Sequence, residues 1–178
     1  MIDDIISELM IKTTINTLND NEQLQPMCCL IDDDNEITCL PLPPIINQNS
    51  KEMTVDLLKL MTREMNIKGI IIQLESFVVK LKNNETIFCS PIEHPNKKDS
   101  IIYIYEYIKN DGKIHNNVSI YIINKNDGKV SLEECTDSSE ISNVSELFTG
   151  ILTERNVNNI KLNEVSKKSN IIKGNFGS

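Results

Sequence analysis

The sequence predicts an α+β fold, a mostly antiparallel sheet of about six strands with two or three helices packed on one face. Two observations predict it. Short runs of β-branched and apolar residues alternate with turns rich in Asn, Asp and Gly, a pattern typical of strands joined by hairpins. Apolar residues at helical spacing occur only in separate segments between or beside these runs.

Three segments predict helices, because their apolar residues recur at intervals of three and four. They are residues 2–18, residues 50–66 and a final helix that begins near Asn143. The central helix has an expected cap, since Asn49 with Glu52 resembles a capping box. Its apolar stripe, which we expect to face the sheet, comprises Met53, Leu57, Leu58, Met61 and Met65.

The strands are predicted from apolar runs, and their pairing is predicted from the turns. Residues 27–31 and 37–42 flank the acidic turn DDDNE and predict a hairpin, whose second strand is either ended or confined to an edge by Pro41, Pro43 and Pro44. Two Asn-Asp-Gly turns join the last three strands into an antiparallel meander. The remaining strand candidates are 69–81, 86–90, 101–108, 117–123 and 130–135.

Charge divides the chain into two parts. We expect a single domain over residues 1–155 and a basic, Asn- and Lys-rich, flexible tail over 156–178. The net charge of −8 disfavours nucleic-acid binding, because an acidic surface repels phosphates. From Arg155 onward the chain carries five basic and one acidic side chains, a net charge of +4. Contact with nucleic acid is therefore expected only through this tail.

Cysteine usage and the apolar runs indicate a compartment. The five cysteines form no CxxC pair, and the chain starts with an acidic amphipathic segment instead of a secretion signal. No apolar run approaches the ~20 residues that span a bilayer. We therefore expect a cytoplasmic protein (in a host cytoplasm if viral) with reduced cysteines and no membrane contact.

The stretch IIYIYEYI, residues 101–108, predicts a strand with two unlike faces. We expect its aliphatic face, which also contains Glu106, to pack under the helices. The opposite tyrosine face is then either a binding platform or a ladder that only stabilises the sheet. The tyrosine face comprises Tyr103, Tyr105, Tyr107 and, from the next strand, Tyr121.

Two groups of polar residues predict alternative chemistry. Alternating acids in the first hairpin turn are ligands of the kind that Mg²⁺ and Ca²⁺ prefer, although solvated acids at a hairpin tip explain them too. A charged residue within an apolar strand, together with a histidine-bearing loop, predicts an acid–base site. The alternative metal residues are Asp32, Asp34 and Glu36, and the alternative catalytic residues are Glu75, His94 and Asp99.

Short motifs in residues 1–125 resemble a diffuse group of small uncharacterised phage and bacterial α+β proteins. The motifs are Pro26 before the first hairpin, a Pro-Leu-Pro at 41–43, Glu75-Ser76-Phe77, and a His-Pro-Asn-Lys loop at 94–97 followed by Asp99. The resemblance implies a mobile-element origin and this architecture, but no reaction. It also implies that Glu75 and the loop meet at one end of the sheet.

We therefore expect a non-enzymatic intracellular binding protein of phage or bacterial origin that needs no cofactor. We expect it to self-associate through the tyrosine face or an adjacent edge, and to act on a host protein or a small ligand. The alternative is a small hydrolase or nuclease that depends on a divalent metal and uses Glu75, His94 and Asp99.

Overall fold

The computed structural model describes most of the predicted domain. The described residues are 5–20, 22–79, 93–135, 148 and 150–161. The α+β class is confirmed, since this part of the chain contains six antiparallel strands and three helical segments. The predicted strand at 86–90 and the predicted start of the final helix at Asn143 lie outside the described residues.

The helices and strands have the following bounds. A π-helical segment, Ile5–Met10, continues into helix α1, Ile11–Asn19; α2 is Gln48–Glu64, and α3 covers 154–161. The strands are β1 (Met27–Asp32), β2 (Ile37–Pro41), β3 (Ile67–Val78), β4 (Lys98–Ile108), β5 (Ile114–Asn126) and β6 (Lys129–Glu134). No helix among the described residues is both long enough and apolar enough to cross a membrane.

All six strands form one antiparallel sheet in the order β2-β1-β3-β4-β5-β6. The hairpin β1–β2 and the meander β4–β5–β6 are as predicted. In the second meander turn, Asp127 and Gly128 have φ values of 50° and 76°. Positive φ at both central residues defines the two-residue turn that matches the twist of a hairpin, which explains the Asp-Gly pair.

The aliphatic face of the sheet holds the larger core. Side chains from β1, β3, β4 and β5, including Ile72 and Ile104, pack against Leu58 of α2 and against Phe148 and Leu152 of the carboxy-terminal segment. This face is covered by helix α2 as predicted. Helix α1 instead packs on the tyrosine face, because its apolar side chains join the second core cluster there.

The packed part of the chain extends beyond the predicted boundary at residue 155. Asn156 and Val157 are buried, and α3 continues to residue 161. The side-chain amide of Asn156 donates a hydrogen bond of 2.7 Å to the carbonyl oxygen of Thr62 in α2. The asparagine-rich sequence predicted a solvated tail from residue 156. Asn156 is buried instead, because a side-chain amide whose hydrogen bonds are satisfied can lie in a core. The rest of the predicted tail lies outside the described residues.

Helix α2 faces the sheet with a different stripe from the predicted one. Its buried line is Thr54, Leu58 and Thr62, whereas Met53 and Leu57 are exposed. Threonine can be buried in a helix because its hydroxyl bonds to a carbonyl one turn earlier, as Thr54 does to Ser50 at 2.8 Å.

The cap of α2 also differs from the predicted one. The side chain of Asn47 accepts a hydrogen bond from the backbone N–H of Ser50 at 2.8 Å. In return, the Ser50 hydroxyl accepts one from the backbone N–H of Asn47 at 3.1 Å. The capping box therefore begins two residues earlier than Asn49, with serine in the place of the predicted glutamate.

The expectation that all cysteines are reduced is wrong for one pair. Cys29 and Cys39 form a disulfide between β1 and β2, where they lie directly opposite each other with Cα atoms 4.1 Å apart. The spacing of ten residues carried no CxxC signal, but a hairpin brings such positions together. Cys28 and Cys135 are free, and burial raises the pKa of the Cys28 thiol to about 11.

Candidate functional site

The tyrosine face has the predicted composition but not the predicted exposure. Tyr103 and Tyr105 are 0% and 5% exposed, because α1 covers them. The hydroxyl oxygens of Tyr103 and Thr14 lie 3.1 Å apart, and the Thr14 hydroxyl also donates to Gln73 at 3.0 Å. The expectation that these two rings form an exposed platform is therefore wrong. Strand alternation assigns side chains to faces, but it does not say which face an amphipathic helix will cover.

The other two tyrosines lie at the margins of this core. Tyr107 is half-buried and stacks on the ring of His115, with centroids 5.7 Å apart. Tyr121 is also half-buried and packs edge-on against Tyr103 at 5.7 Å. Burial raises the pKa of Tyr103 to about 12, so its phenol stays neutral. The four tyrosines thus form part of the packing beneath and beside α1, not one continuous exposed surface.

A pocket of about 480 Å³ opens on the same face, beside the last residues of α1. The end of α1 is fixed there by Asn19, whose side-chain oxygen accepts a hydrogen bond of 2.8 Å from the backbone N–H of Val130. The pocket is lined by Leu18, Glu75, Ser76, Phe77, Asp99, Ser100, Ile123 and Lys125.

Strand register brings two of the predicted catalytic residues together in this pocket. Asp99 of β4 is directly opposite Phe77 of β3, and Glu75 is two positions along the same face of β3. Side chains on such diagonal positions are within reach of each other. Glu75 and Asp99 are 24 residues apart in the sequence, so only the pairing of β3 with β4 makes them neighbours.

The two carboxylates interact unfavourably with each other. Burial raises the pKa of Glu75, the charge of Asp99 raises it further, and the charge of Lys125 acts in the opposite direction. Both acids are substantially exposed, so solvent screens much of this repulsion. The pocket nevertheless contains two negative charges and one positive charge along its wall.

An apolar wall completes the pocket. Leu18, Phe77 and Ile123 contribute aliphatic and aromatic surface beside the carboxylates. The ammonium group of Lys97 lies over the Phe77 ring, 4.7 Å from its centroid. The face of this ring is therefore already in contact with a cation, as expected from the negative charge of an aromatic π-face.

The third predicted catalytic residue lies outside this pocket. The Nδ1 atom of His94 accepts a hydrogen bond of 3.1 Å from the backbone N–H of Asn96, and His94 is not among the lining residues. This bond closes the turn before β4, so one ring nitrogen has a structural partner. The three residues Glu75, His94 and Asp99 therefore do not converge on one pocket.

The acidic hairpin turn is organised by its own hydrogen bonds. One oxygen of the Asp32 carboxylate accepts hydrogen bonds of 2.9 Å from the backbone N–H groups of Asp34 and Glu36. Asn35 adopts a φ of 68° at the tip of the turn. Among the described residues, no three His, Cys, Asp or Glu side chains are arranged to hold a metal ion. This arrangement favours the interpretation of the acids as a hairpin tip.

Glu106 has a structural role on the aliphatic face that the sequence pattern only hinted at. Its buried carboxylate accepts hydrogen bonds from three consecutive backbone N–H groups: Gly150, Ile151 at 2.9 Å and Leu152 at 2.8 Å. Burial raises the pKa of Glu106, while these bonds and the charge of Lys59 oppose that shift. An acid within an aliphatic strand face was the available signal, since a buried charge needs partners.

Comparisons with known proteins add no family to this description. The chain matches no protein-family model, no curated protein and no solved structure. The resemblance to phage and bacterial proteins therefore depends on short motifs alone and stays a prediction. Function has to be argued from the pocket and the surface of the chain itself.

Proposed function

We propose that this protein is a non-enzymatic binding protein that holds a small organic cation with an apolar portion in the pocket beside α1. The observation that carries the proposal is the juxtaposition of Glu75 and Asp99 with the apolar side chains Leu18, Phe77 and Ile123 in one cavity. Ligand pockets typically combine an apolar wall with a few polar groups that fix orientation.

The charges of the pocket select the ligand. Among the lining residues, Glu75 and Asp99 contribute two negative charges and Lys125 one positive charge, while the ammonium of Lys97 lies nearby over the Phe77 ring. A ligand ammonium placed between the carboxylates relieves their repulsion. Such partly exposed charge contacts contribute modestly, so we expect a dissociation constant of roughly 0.1–1 mM for a simple amine.

Binding is proposed in preference to catalysis because the pocket lacks an arranged acid–base pair. His94, the side chain best suited to proton transfer near neutral pH, is engaged in the turn before β4. By strand alternation, the side chains of Ser76 and Ser100 point to the opposite face of the sheet from Glu75. Neither serine is therefore placed as a nucleophile beside these carboxylates.

Titration calorimetry with three related ligands tests the proposal. Phenethylamine is a cation, phenylalanine is a zwitterion and phenylacetate is an anion, while all three carry the same ring. We expect the amine to bind most tightly and the anion not to bind. Replacement of both carboxylates, Glu75→Gln with Asp99→Asn, is expected to weaken amine binding by about tenfold or more.

The control is Glu36→Gln, which removes an exposed acid from the distant hairpin turn and should leave binding unchanged. Equal or tighter binding of phenylacetate, or amine binding that survives the double replacement, would refute the proposal. Mg²⁺ and Mn²⁺ are titrated in parallel. Saturable metal binding that requires Glu75 and Asp99 would favour the metal-dependent hydrolase instead.

A further inference from the structure

Exposed apolar side chains concentrate on one helix. Seven large apolar side chains are exposed among the described residues, and five of them lie between positions 46 and 65. Three of the five, Met53, Leu57 and Leu60, are 73%, 45% and 58% exposed. We call these three residues the α2 stripe. Their spacing of four and then three places them on one side of the helix.

The α2 stripe is exposed among the residues that the structure describes. Helix α2 buries Thr54, Leu58 and Thr62 against the aliphatic face, and Met53 and Leu57 each stand one position before a member of that buried line. At 100° per residue the stripe therefore lies on the flank of the helix, roughly 130° around from the middle of that buried line, and not against the sheet. Adjacent exposed apolar side chains of this size are typical of surfaces that contact another protein.

Four exposed charged residues follow one flank of the α2 stripe, with both acids before both bases. The acids Glu52 and Asp56 lie in the first half of the helix, and the bases Lys59 and Arg63 lie in the second half. When two identical helices pack antiparallel, the same flank of each helix faces its counterpart. Glu52 of one copy would then face Arg63 of the other, and Asp56 would face Lys59.

Both charge pairs form in a single register of the two helices. In that register the two-fold axis passes midway between Leu57 and Leu58 of each copy. In that register Met53 of one copy falls beside Leu60 of the other, so the apolar and the charged contacts are compatible. A parallel arrangement would instead place this flank beside the opposite flank of the partner helix and would form neither charge pair. The same order of charges also suits the dipole of an isolated helix, so the charges support the inference only together with the stripe.

We propose that a second copy of this chain covers the α2 stripe, in a two-fold symmetric dimer with antiparallel α2 helices. Such an interface uses the same patch on both subunits. The 17 residues of α2 form a helix about 26 Å long, and one such helix buries less than the roughly 800 Å² per partner of a standard interface. We therefore expect a dissociation constant in the micromolar range.

This proposal relocates the self-association expected from the sequence. The tyrosine face cannot serve as predicted, since Tyr103 and Tyr105 are buried under α1. The α2 stripe lies on the opposite side of the sheet from the pocket, because α2 packs on the aliphatic face. Dimerisation and ligand binding therefore use separate surfaces, and either can fail without the other.

Sedimentation velocity over a wide range of concentration tests the dimer. We expect wild-type protein to shift from monomer to dimer as concentration rises. The double replacement Met53→Ser with Leu60→Ser should weaken association by about tenfold or more. Ile37→Ser, which removes an exposed apolar side chain from edge strand β2, is the matched control and should not weaken it. Circular dichroism checks that each variant keeps its fold.

Charge reversal tests the antiparallel register. Glu52→Arg alone places two arginines opposite each other, and Arg63→Glu alone places two glutamates opposite each other, so each variant should dimerise less than wild type. An equimolar mixture of the two restores both charge pairs and should recover the dimer. A stabilising effect on the isolated helix would change thermal unfolding but would not produce this recovery.

Three outcomes would overturn the proposal. Wild-type protein could remain monomeric at every concentration, which would indicate that the stripe is free or is covered by a different protein. Association could be insensitive to Met53 and Leu60, which would locate the interface elsewhere. Dimerisation that depends on the stripe, without recovery in the mixture of charge variants, would exclude the antiparallel register.

Discussion

The two faces of the sheet are covered in different ways. On the aliphatic face, two segments that are distant in sequence, α2 and the carboxy-terminal segment, share the core. The tyrosine face is covered by the helical residues Ile5–Asn19, a segment with a length of roughly 22 Å. Strand β4 has 11 residues and spans about 36 Å. This helical segment is thus shorter than the strand beneath it, and the pocket lies beside its last residues.

Each face also contains a buried polar group, and the two groups differ in kind. Glu106 on the aliphatic face can be ionised and is surrounded by backbone N–H donors of a distant segment. Thr14, Gln73 and Tyr103 on the tyrosine face are neutral and form a side-chain network. A charge is more costly to bury than a hydroxyl, so its partners must be in place before the fold is stable. We therefore expect the aliphatic face to be the more sensitive of the two.

The largest expected effect is that of Glu106→Ala. This change leaves three backbone N–H groups without their acceptor in a buried site, and we expect a loss of about 3–5 kcal/mol in the free energy of unfolding. Urea denaturation measures it. The control Glu134→Ala removes an exposed acid from β6 and should change stability by less than about 0.5 kcal/mol. Equal losses of stability from the two changes would show that the hydrogen bonds of Glu106 to the carboxy-terminal segment do not stabilise the fold.

The partners of Glu106 also show what the sequence could not predict. The glutamate within the aliphatic face was visible in IIYIYEYI, but its acceptor role depends on Gly150, which is 44 residues away and adopts a φ of 75°. Strand alternation, the hairpins and the Asp-Gly turn follow from local rules, and these predictions were correct. Long-range packing decides which segment covers which face, and a single sequence contains little local signal for it.

The α2 helix and the pocket show the same limit. Helical spacing predicted the existence of α2 but assigned Met53 and Leu57 to the core, because apolar side chains were assumed to face inward. The structure buries threonines there, whose hydroxyls bond within the helix. For the pocket, the sequence signal was Glu75, a charge in an apolar strand, and only strand pairing brings Asp99 near it. His94 was grouped with them because it shares a loop with Asp99 and because the resemblance implied that this loop meets Glu75.

A smaller effect is expected from Tyr103→Phe on the tyrosine face. The change removes one hydroxyl from a neutral network and leaves Thr14 with Gln73 as its remaining partner, so we expect a loss of about 1–2 kcal/mol. Tyr107→Phe, at a half-buried ring on the same strand, is the control and should cost less. If Tyr103→Phe proved more destabilising than Glu106→Ala, the proposed difference between the faces would be wrong.

The smallest expected effect concerns the open end of the tyrosine face and depends on pH. The pKa of Glu75 is raised by burial and by Asp99, so ionising Glu75 is less favourable in the folded than in the unfolded chain. At pH values below the pKa of Glu75 in the unfolded chain, Glu75 is neutral in both states and does not destabilise the fold. This advantage is lost as the pH rises through the higher pKa of Glu75 in the folded protein, because Glu75 then ionises in the fold. Above that range wild-type protein should be less stable than Glu75→Gln.

Because Glu75 is substantially exposed, the gain from Glu75→Gln at neutral pH should be only a few tenths of a kcal/mol. Thermal unfolding of both proteins across acidic to neutral pH measures the difference, which should shrink as pH falls and Glu75 becomes protonated in both states. A difference that is constant across this range would mean that the charge of Glu75 does not destabilise the pocket.

Saturating phenethylamine should reverse the sign of this stability difference at neutral pH, because only the carboxylate of the wild-type protein gains from a bound cation. The open end would then carry a small cost in stability that its ligand removes, whereas the Glu106 carboxylate already has three backbone donors from the chain itself.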